Sequence, residues 1–402
     1  MKLYTFKEPN KPILDWDGNQ VVIPKKYHEK PVRAFWVSNV VNIDMPNQLD
    51  LKKYKEKLKE IIETAKNYNI NTIFFQVRTN NDAYYKSKLN PTSRYLVGKE
   101  GDPLLFDPLD WIVKEAHKNN IELHAWCNPY RVSMANHDKD EWLESASDLN
   151  LAKRRKDLLV LDTEGLIILN PAKAEVKQHI IDSMMEIIKN YDVDGIHFDD
   201  YFYPYKPLHH EHDDIEEYEK RKDKNQSLDD FRERQVDEVI KGVYDAVKAY
   251  NPKLQFGVSP FGVWKTNLSD PNGSRNVGGV YESGISQHAN SYRWVKEGFI
   301  DYIVPQLYWD FAFEKAPFAD MTNWWVDLCK GTNVKLYIGH GAYRLGRDGQ
   351  YEDKMEIVNQ VKYANQFKEV QGNIFFTYKT FVQDGPEKEG MLELKKLFNK
   401  GR

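Results

Sequence analysis

Cysteine is nearly absent: the 402 residues contain two, Cys127 and Cys329. Two thiols cannot build a disulfide framework, and neither has a partner at metal-ligand spacing. They read as buried free thiols, with one Cys127–Cys329 bridge as the alternative. Long apolar runs are missing as well, since no stretch reaches the ~20 residues that span a bilayer. The opening MKLYTFKEPNKPILDWDG has neither an apolar signal core nor a small-residue cleavage site. As written, the chain reads as cytoplasmic; a chain trimmed of an export signal would look the same and belong to the envelope or the exterior. Positive charge is not in excess. Lys and Arg number 57 against 61 Asp and Glu, a net charge of −4, which leaves no general basic field and argues against nucleic acid as partner.

What is present is a core-forming composition, 41% apolar and 29% charged, with 13% aromatic residues. Strand-like runs alternate with amphipathic stretches. The strands are VRAFWVSNV, NTIFFQVR, IELHAWCNP, VDGIHFDD, LQFGVSPFG, IDYIVPQLYW, VKLYIGHGAY and GNIFFTYKTF. A helical pattern follows each. One helix opens at Ser227, and another is expected over 170–192 with Asn170 as cap and Pro171 at its first position. Eight such units predict a single (β/α)8 barrel over residues 31–402, with residues 1–30 as an extension packed against it. The competing open sheet would carry a glycine-rich phosphate turn after its first strand, and VSNVVNIDMPN has none. The longest insertions follow strands two to five, on the face where barrel active sites lie.

Polar and aromatic residues gather at the strand ends: Arg78 after the second, Trp126, Asn128 and Tyr130 after the third, His197, Asp199, Asp200, Tyr201 and Tyr203 at the fourth. Trp264 follows the fifth, Gln306, Tyr308, Trp309 and Asp310 the sixth, and His340 and Tyr343 the seventh. Ordinary loop polarity explains any one of these but not their convergence. Side chains alternate along a strand, so His197 and Asp199 should share the inner face while Asp200 points away unless the strand is already turning. Asp194 reads as a turn cap with Gly195. The tract HHEHDD (209–214) is a solvated loop or a weak metal site. It lacks a second spaced cluster, so no metal and no cofactor is assigned.

The segments VRAFWVSNV, TIFFQVR, DPLDWIVKEAHKNNIELHAWCNPYR, LNPAKAEVKQHIIDSMMEIIKNYDVDGIHFDDYFYP, FGVSPFGVW and IDYIVPQLYW, in this order, make the chain similar to the glycosyl-hydrolase-like family ten proteins over about residues 31–380. These are bacterial barrel proteins related to family-10-type glycoside hydrolases. The resemblance implies a barrel acting on bacterial glycans, with relatives that cleave peptide-free peptidoglycan strands. Relatives often carry export signals, and this sequence departs from that. GIHFD (195–199) is also similar to the fourth-strand motifs of amylase-type and chitinase barrels. Both comparisons select Asp199, and neither supplies its partner: the fifth-strand end GVSPFG has no carboxylate, and the chitinase acid falls on Tyr201.

Glycoside hydrolysis ordinarily uses two carboxyl groups. Asp199 is the first candidate. Asp200, Asp310 and Glu282 are candidates for its partner, with Asp200 expected to hold the proton beside a charged Asp199. A 2-acetamido group on the substrate would replace a protein nucleophile, and Asp199 with Asp200 would then suffice. Arg78, Asn128, His197, Gln306 and Tyr308 are expected to hold sugar hydroxyls or an acetamide. Trp126, Tyr201, Tyr203, Trp264, Trp309 and Tyr343 are expected to stack on sugar rings. The leading expectation is a hydrolase of an oligo- or polysaccharide. Alternatives are a glycan-binding barrel without catalysis, and a metal-dependent deacetylase if His124, His197 and His340 gather. Oligomeric state is left open.

Overall fold

A computed structural model describes residues 1–134 and 138–400. Eight parallel strands form the centre: β1 (Val32–Val37), β2 (Thr72–Arg78), β3 (Glu122–Cys127), β4 (Gly195–Phe198), β5 (Gln255–Val258), β6 in two pieces (Tyr302–Ile303 and Gln306–Leu307), β7 (Lys335–His340) and β8 (Val370–Phe375). Neighbours pair in chain order, and β8 pairs with both β7 and β1, so the sheet closes. Closure leaves no free edge and turns one face of every strand inward. The protein is therefore a (β/α)8 barrel. Its outer helices are α1 (Leu51–Asn67), α2 (Pro108–Lys118), α3 (Ala174–Asn190), α4 (Leu228–Tyr250), α5 (Ser291–Glu297), α6 (Phe318–Cys329), α7 (Glu356–Ala364) and α8 (Lys388–Phe398), one after each strand.

The two-residue period of the strands sorts the core into two parts. Phe35, Ile73, Phe75, Leu123, Ile196 and Phe256 face the helices. Ala34, Trp36, Phe74, Trp126, Tyr302, Val304, Tyr337 and Ile374 fill the barrel interior. Rings this large need small residues opposite. A Cβ on Gly257 would lie 2.2 Å from the Tyr302 ring, so only glycine fits that layer.

Ser227 caps α4 as expected, its side chain accepting from Asp230 N. Asn170 does not cap α3, which starts at Ala174. Its Oδ1 accepts from Ala172 N instead and closes a turn before the helix. Asp194 does not cap its own turn; its Oδ2 accepts from Leu123 N and contacts His117 Nε2, tying α2 to the start of β3. Cys127 and Cys329 are buried free thiols. Residues 1–23 form a small bridged ladder against the barrel, where Phe6 N donates to Gln350 and Trp16 N to Asp320. Among the described residues, no helix is long and apolar enough to cross a membrane.

Candidate active site

Asp199 and Asp200 follow the last residue of β4, where regular pairing stops at Phe198. The chain turns there, so both carboxyl groups reach one cavity at the barrel mouth, of about 220 Å³. This differs from strict alternation, which sends Asp200 away. Aromatic and apolar walls surround the pair: Trp36, Val40, Ile43, Trp126, Tyr201, Tyr205, Tyr308 and Phe376, with Ser38, Gln76, Ser259 and Gln306 as polar members. The cavity draws on the ends of β1, β2, β3, β4, β5, β6 and β8. Larger hollows elsewhere, such as one of about 840 Å³ beside α2 and α3, are open grooves remote from the strand ends.

The two carboxyls are not equivalent. Asp199 Oδ1 accepts from Asp200 N at 2.9 Å and from Gln306 Nε2 at 3.2 Å. Gln306 is itself fixed by donating to Ser259 O at 2.9 Å. Asp200 Oδ2 accepts from the Tyr205 hydroxyl. Arg131, whose guanidinium lies 3.5 Å from the centre of the Tyr201 ring, adds positive charge near both. Burial pushes Asp199 well above the usual carboxyl range, and the neighbouring Asp200 charge pushes it further. Burial raises Asp200 too, but the Tyr205 hydroxyl and Arg131 oppose that rise. The two carboxyls are neighbours, and their proximity favours the proton-bearing form of one over ionisation of both. Two carboxylates this close resist double ionisation, so burial and their neighbouring charge hold the pair above the usual carboxyl range.

His197 sits one layer below. Trp36 Nε1 can only donate, so His197 Nε2 accepts from it at 3.2 Å, leaving Nδ1–H to face the Tyr302 hydroxyl at 3.2 Å. Ser259 Oγ lies 3.0 Å from Nε2. Burial holds the ring neutral. His197 supports the floor through Trp36 and Ser259, and it does not line the cavity. Gln76, a polar residue at the end of β2 like Arg78, matters more directly. Its Oε1 accepts from Asn39 N and Val40 N, both at 2.9 Å, and fixes the β1 loop that forms one wall.

Of the expected residues, Trp126, Tyr201, Gln306 and Tyr308 meet Asp199 and Asp200 in the cavity. Tyr343 and Trp309 stand at the rim: Tyr343 packs edge-on to Tyr308 and Phe376, and Trp309 to Phe261. The remainder lie elsewhere. A register shift after Gln76 turns Arg78 into the wall, where it is fully buried and donates to Asn128 O, Pro129 O and Asn81. Asn128 donates to Thr79 O in the same wall. Tyr130 is buried in the helix-side core, and Tyr203 donates to Asp214. Trp264 stacks on Tyr292 and Trp324 outside the cavity. His340 has the helix-facing parity of β7 and is bonded to Gln360 and Asn373. Asp310 accepts from Ala312 N and Gln350 N, holding the β6 loop. Glu282 accepts from Thr266 N. His124 and His197 both face Tyr302 while His340 faces α7, so the three histidines do not gather. Among the described residues, no group of three or more His, Cys, Asp or Glu is arranged to hold a metal ion.

The family model for glycosyl hydrolase-like 10 matches residues 31–356. The chain belongs to that family. It is 35% identical over 356 residues to glycosyl hydrolase YngK of Bacillus subtilis, covering 87% of this chain and 69% of that one. It is 31% identical over 382 residues to glycosyl hydrolase DigH of Escherichia coli K12, covering 89% and 85%. Among solved structures, the glycoside hydrolase domain of PgaB (BpsB) from Bordetella bronchiseptica superposes with a TM-score of 0.57 at 12% identity, covering 92% of this chain and all of that one. α-L-Fucosidase isoenzyme 2 from Paenibacillus thiaminolyticus gives 0.52 at 12% identity, and the chain spans about half its length. At these identities the two structures show a shared barrel fold and no more.

Proposed function

We propose that the protein hydrolyses glycosidic bonds in a glycan of 2-acetamido sugars, with the substrate's acetamido carbonyl as the nucleophile. One observation carries this reading. The only carboxyl groups among the cavity's lining residues are Asp199 and Asp200, adjacent in the chain and tied by the Asp200 N–H to Asp199 Oδ1. Glycosidases with two protein carboxylates hold them ~5–5.5 Å apart when retaining and ~6.5–9.5 Å apart when inverting, flanking the scissile bond. An adjacent pair serves one side of the sugar and leaves the opposite face to the substrate.

In this reading Asp199, which carries the shared proton, is the acid. The acetamido oxygen attacks C1, the bond from C1 to the leaving oxygen breaks, and that oxygen takes the proton from Asp199. Asp200, ionised and held by Tyr205, accepts the acetamido N–H as positive charge develops there. Water then attacks C1, gives its proton to Asp199, and the five-membered ring reopens to the acetamide. Trp126, Tyr201 and Tyr308 supply ring surface for the sugar. Peptide-free peptidoglycan strands and chitin oligomers contain the required group, and starch-type oligomers do not.

The test is to incubate the protein with all three and identify products by mass and by new reducing ends. Cleavage confined to the acetamido glycans supports the reading. Retention of those glycans without new reducing ends would make this a binding barrel, and cleavage of the starch-type oligomer would place the nucleophile in the protein.

A further inference from the structure

A second cavity, of about 470 Å³, lies between the N-terminal ladder and the outer faces of α6 and α7. It is within the size range of sites for small ligands. Its walls include the half-buried Trp16, Trp324 and Phe367 and the buried Tyr363. Four carboxylates line it, Asp15, Asp17, Asp320 and Asp327, against one guanidinium, Arg275. Arg275 is already committed: it pairs with Asp17 at 2.8 Å and lies over the Trp16 ring.

Asp320 is the informative member. It is 5% exposed, and its Oδ1 accepts from Trp16 N at 2.8 Å. Its Oδ2 has no hydrogen-bond partner, and neither has the buried Trp16 Nε1. A buried carboxyl oxygen without a donor is costly, and such groups call for an explanation. Burial pushes this carboxyl up to about 6. A cationic donor would satisfy Oδ2, and Trp16 Nε1, which can only donate, would take an acceptor such as a sugar hydroxyl. The net negative lining disfavours an acidic ligand, and the ring surfaces suit the C–H faces of a sugar.

We infer that this cavity is a second glycan site, taking a sugar that carries a free amine, with its ammonium group at Asp320 and its ring against Trp324. Binding here is separate from the barrel mouth, whereas the anchoring role rests on the chemistry proposed there. A free amine cannot act as the acetamido nucleophile, so a sugar held here is bound and not cleaved at that unit. The site would anchor a partly deacetylated strand while the mouth works on an acetylated stretch.

The test uses the full chain carrying Asp199→Asn, so that turnover does not consume the ligand. Calorimetry with a glucosamine trimer, an N-acetylglucosamine trimer and methylamine is run on this protein and on versions that also carry Asp320→Asn or Trp324→Ala. Thermal melts confirm that each is folded. The expected result is binding of the glucosamine trimer that falls tenfold or more with either added change. Binding of the acetylated trimer should be unaffected by them, and methylamine should bind far more weakly than the trimer. The inference is overturned if the glucosamine trimer does not bind, if neither change weakens it, if the acetylated trimer weakens equally, or if methylamine binds as tightly. Failure of the proposed hydrolysis would show in reducing-end release by the unsubstituted protein, a separate measurement.

Discussion

Asp199 and Asp200 are one peptide bond apart and differ by their donors, and that difference sets the expected pH behaviour. Asp199 must be protonated to act as acid, so activity falls as pH rises through its raised pKa. Asp200 must be ionised to receive the acetamido N–H, so activity falls as pH drops through its own. A bell-shaped profile follows, its two limits belonging to the pair. Tyr205 donates to Asp200 and favours its carboxylate. Tyr205→Phe keeps the ring and removes that donor, so the acidic limb should move to higher pH. A limb that stays in place would remove Tyr205 from this role. Asp199→Asn keeps volume and removes the proton donor. Turnover should fall on the order of a thousandfold with the melting temperature little changed. A folded variant with full activity would remove Asp199 from the mechanism. The sequence marked these two carboxyls because charge at the end of an apolar strand is costly. It could not show which donors each carboxyl meets, because Tyr205 folds back from further along the same loop and Arg131 lies on the loop after β3.

At the scale of single elements, strand parity decides which polar residues reach the mouth. Parity along β4 places His197 and Asp199 on the inner face. The same rule applied to β7 puts Gly339 inside and His340 against α7, as the structure has it. Arg78 escapes the rule because β2 shifts register after Gln76, a local event with no signature in composition. Helix contacts carry their own prediction. Asp237 on α4 is 4% exposed and accepts from Trp294 Nε1 at 2.6 Å and Arg293 Nη1 at 3.1 Å on α5. Burial outweighs these donors and pushes it up from 3.8 to about 7. Between those values the unfolded chain is ionised and the folded one holds the proton. The folded state therefore loses stability as pH rises from about 4 to about 7, and the loss levels off above that. Asp237→Asn keeps an acceptor for Trp294 and removes the titration. Its melting temperature should gain on the unsubstituted protein steadily from pH 4 to pH 7, by the equivalent of up to a few kcal/mol. Parallel melting curves across that range would refute the assignment. In the barrel interior, Gly257→Ala should cost about 1–3 kcal/mol or more in chemical denaturation, because its Cβ meets the Tyr302 ring.

The barrel as a whole was legible because its signals repeat: eight apolar runs, each followed by a helical period, with no phosphate loop to suggest an open sheet. The cavity was legible only in part, because its walls come from seven strand ends at once, and Trp36, Tyr205 and Phe376 look like core or loop aromatics when met singly. That assembly leads to the sharpest test of mechanism. With no carboxylate opposite the Asp199–Asp200 pair among the lining residues, the proposed mechanism has the carbonyl of the substrate attack. Replacing the acetamido methyl hydrogens with fluorine leaves size nearly unchanged and withdraws electrons from that carbonyl. Turnover should then fall on the order of a hundredfold, or ~2.7 kcal/mol in the barrier, while binding of the intact sugar changes little. A thiazoline analogue of the ring-closed intermediate should inhibit strongly, since it resembles the state the site is built to hold. If the trifluoroacetyl substrate is cleaved at an unchanged rate and mass spectrometry finds a glycosyl group on an aspartate, the nucleophile belongs to the protein. Asp199 and Asp200 would then have to act in sequence on one face, a course their contact makes hard to sustain.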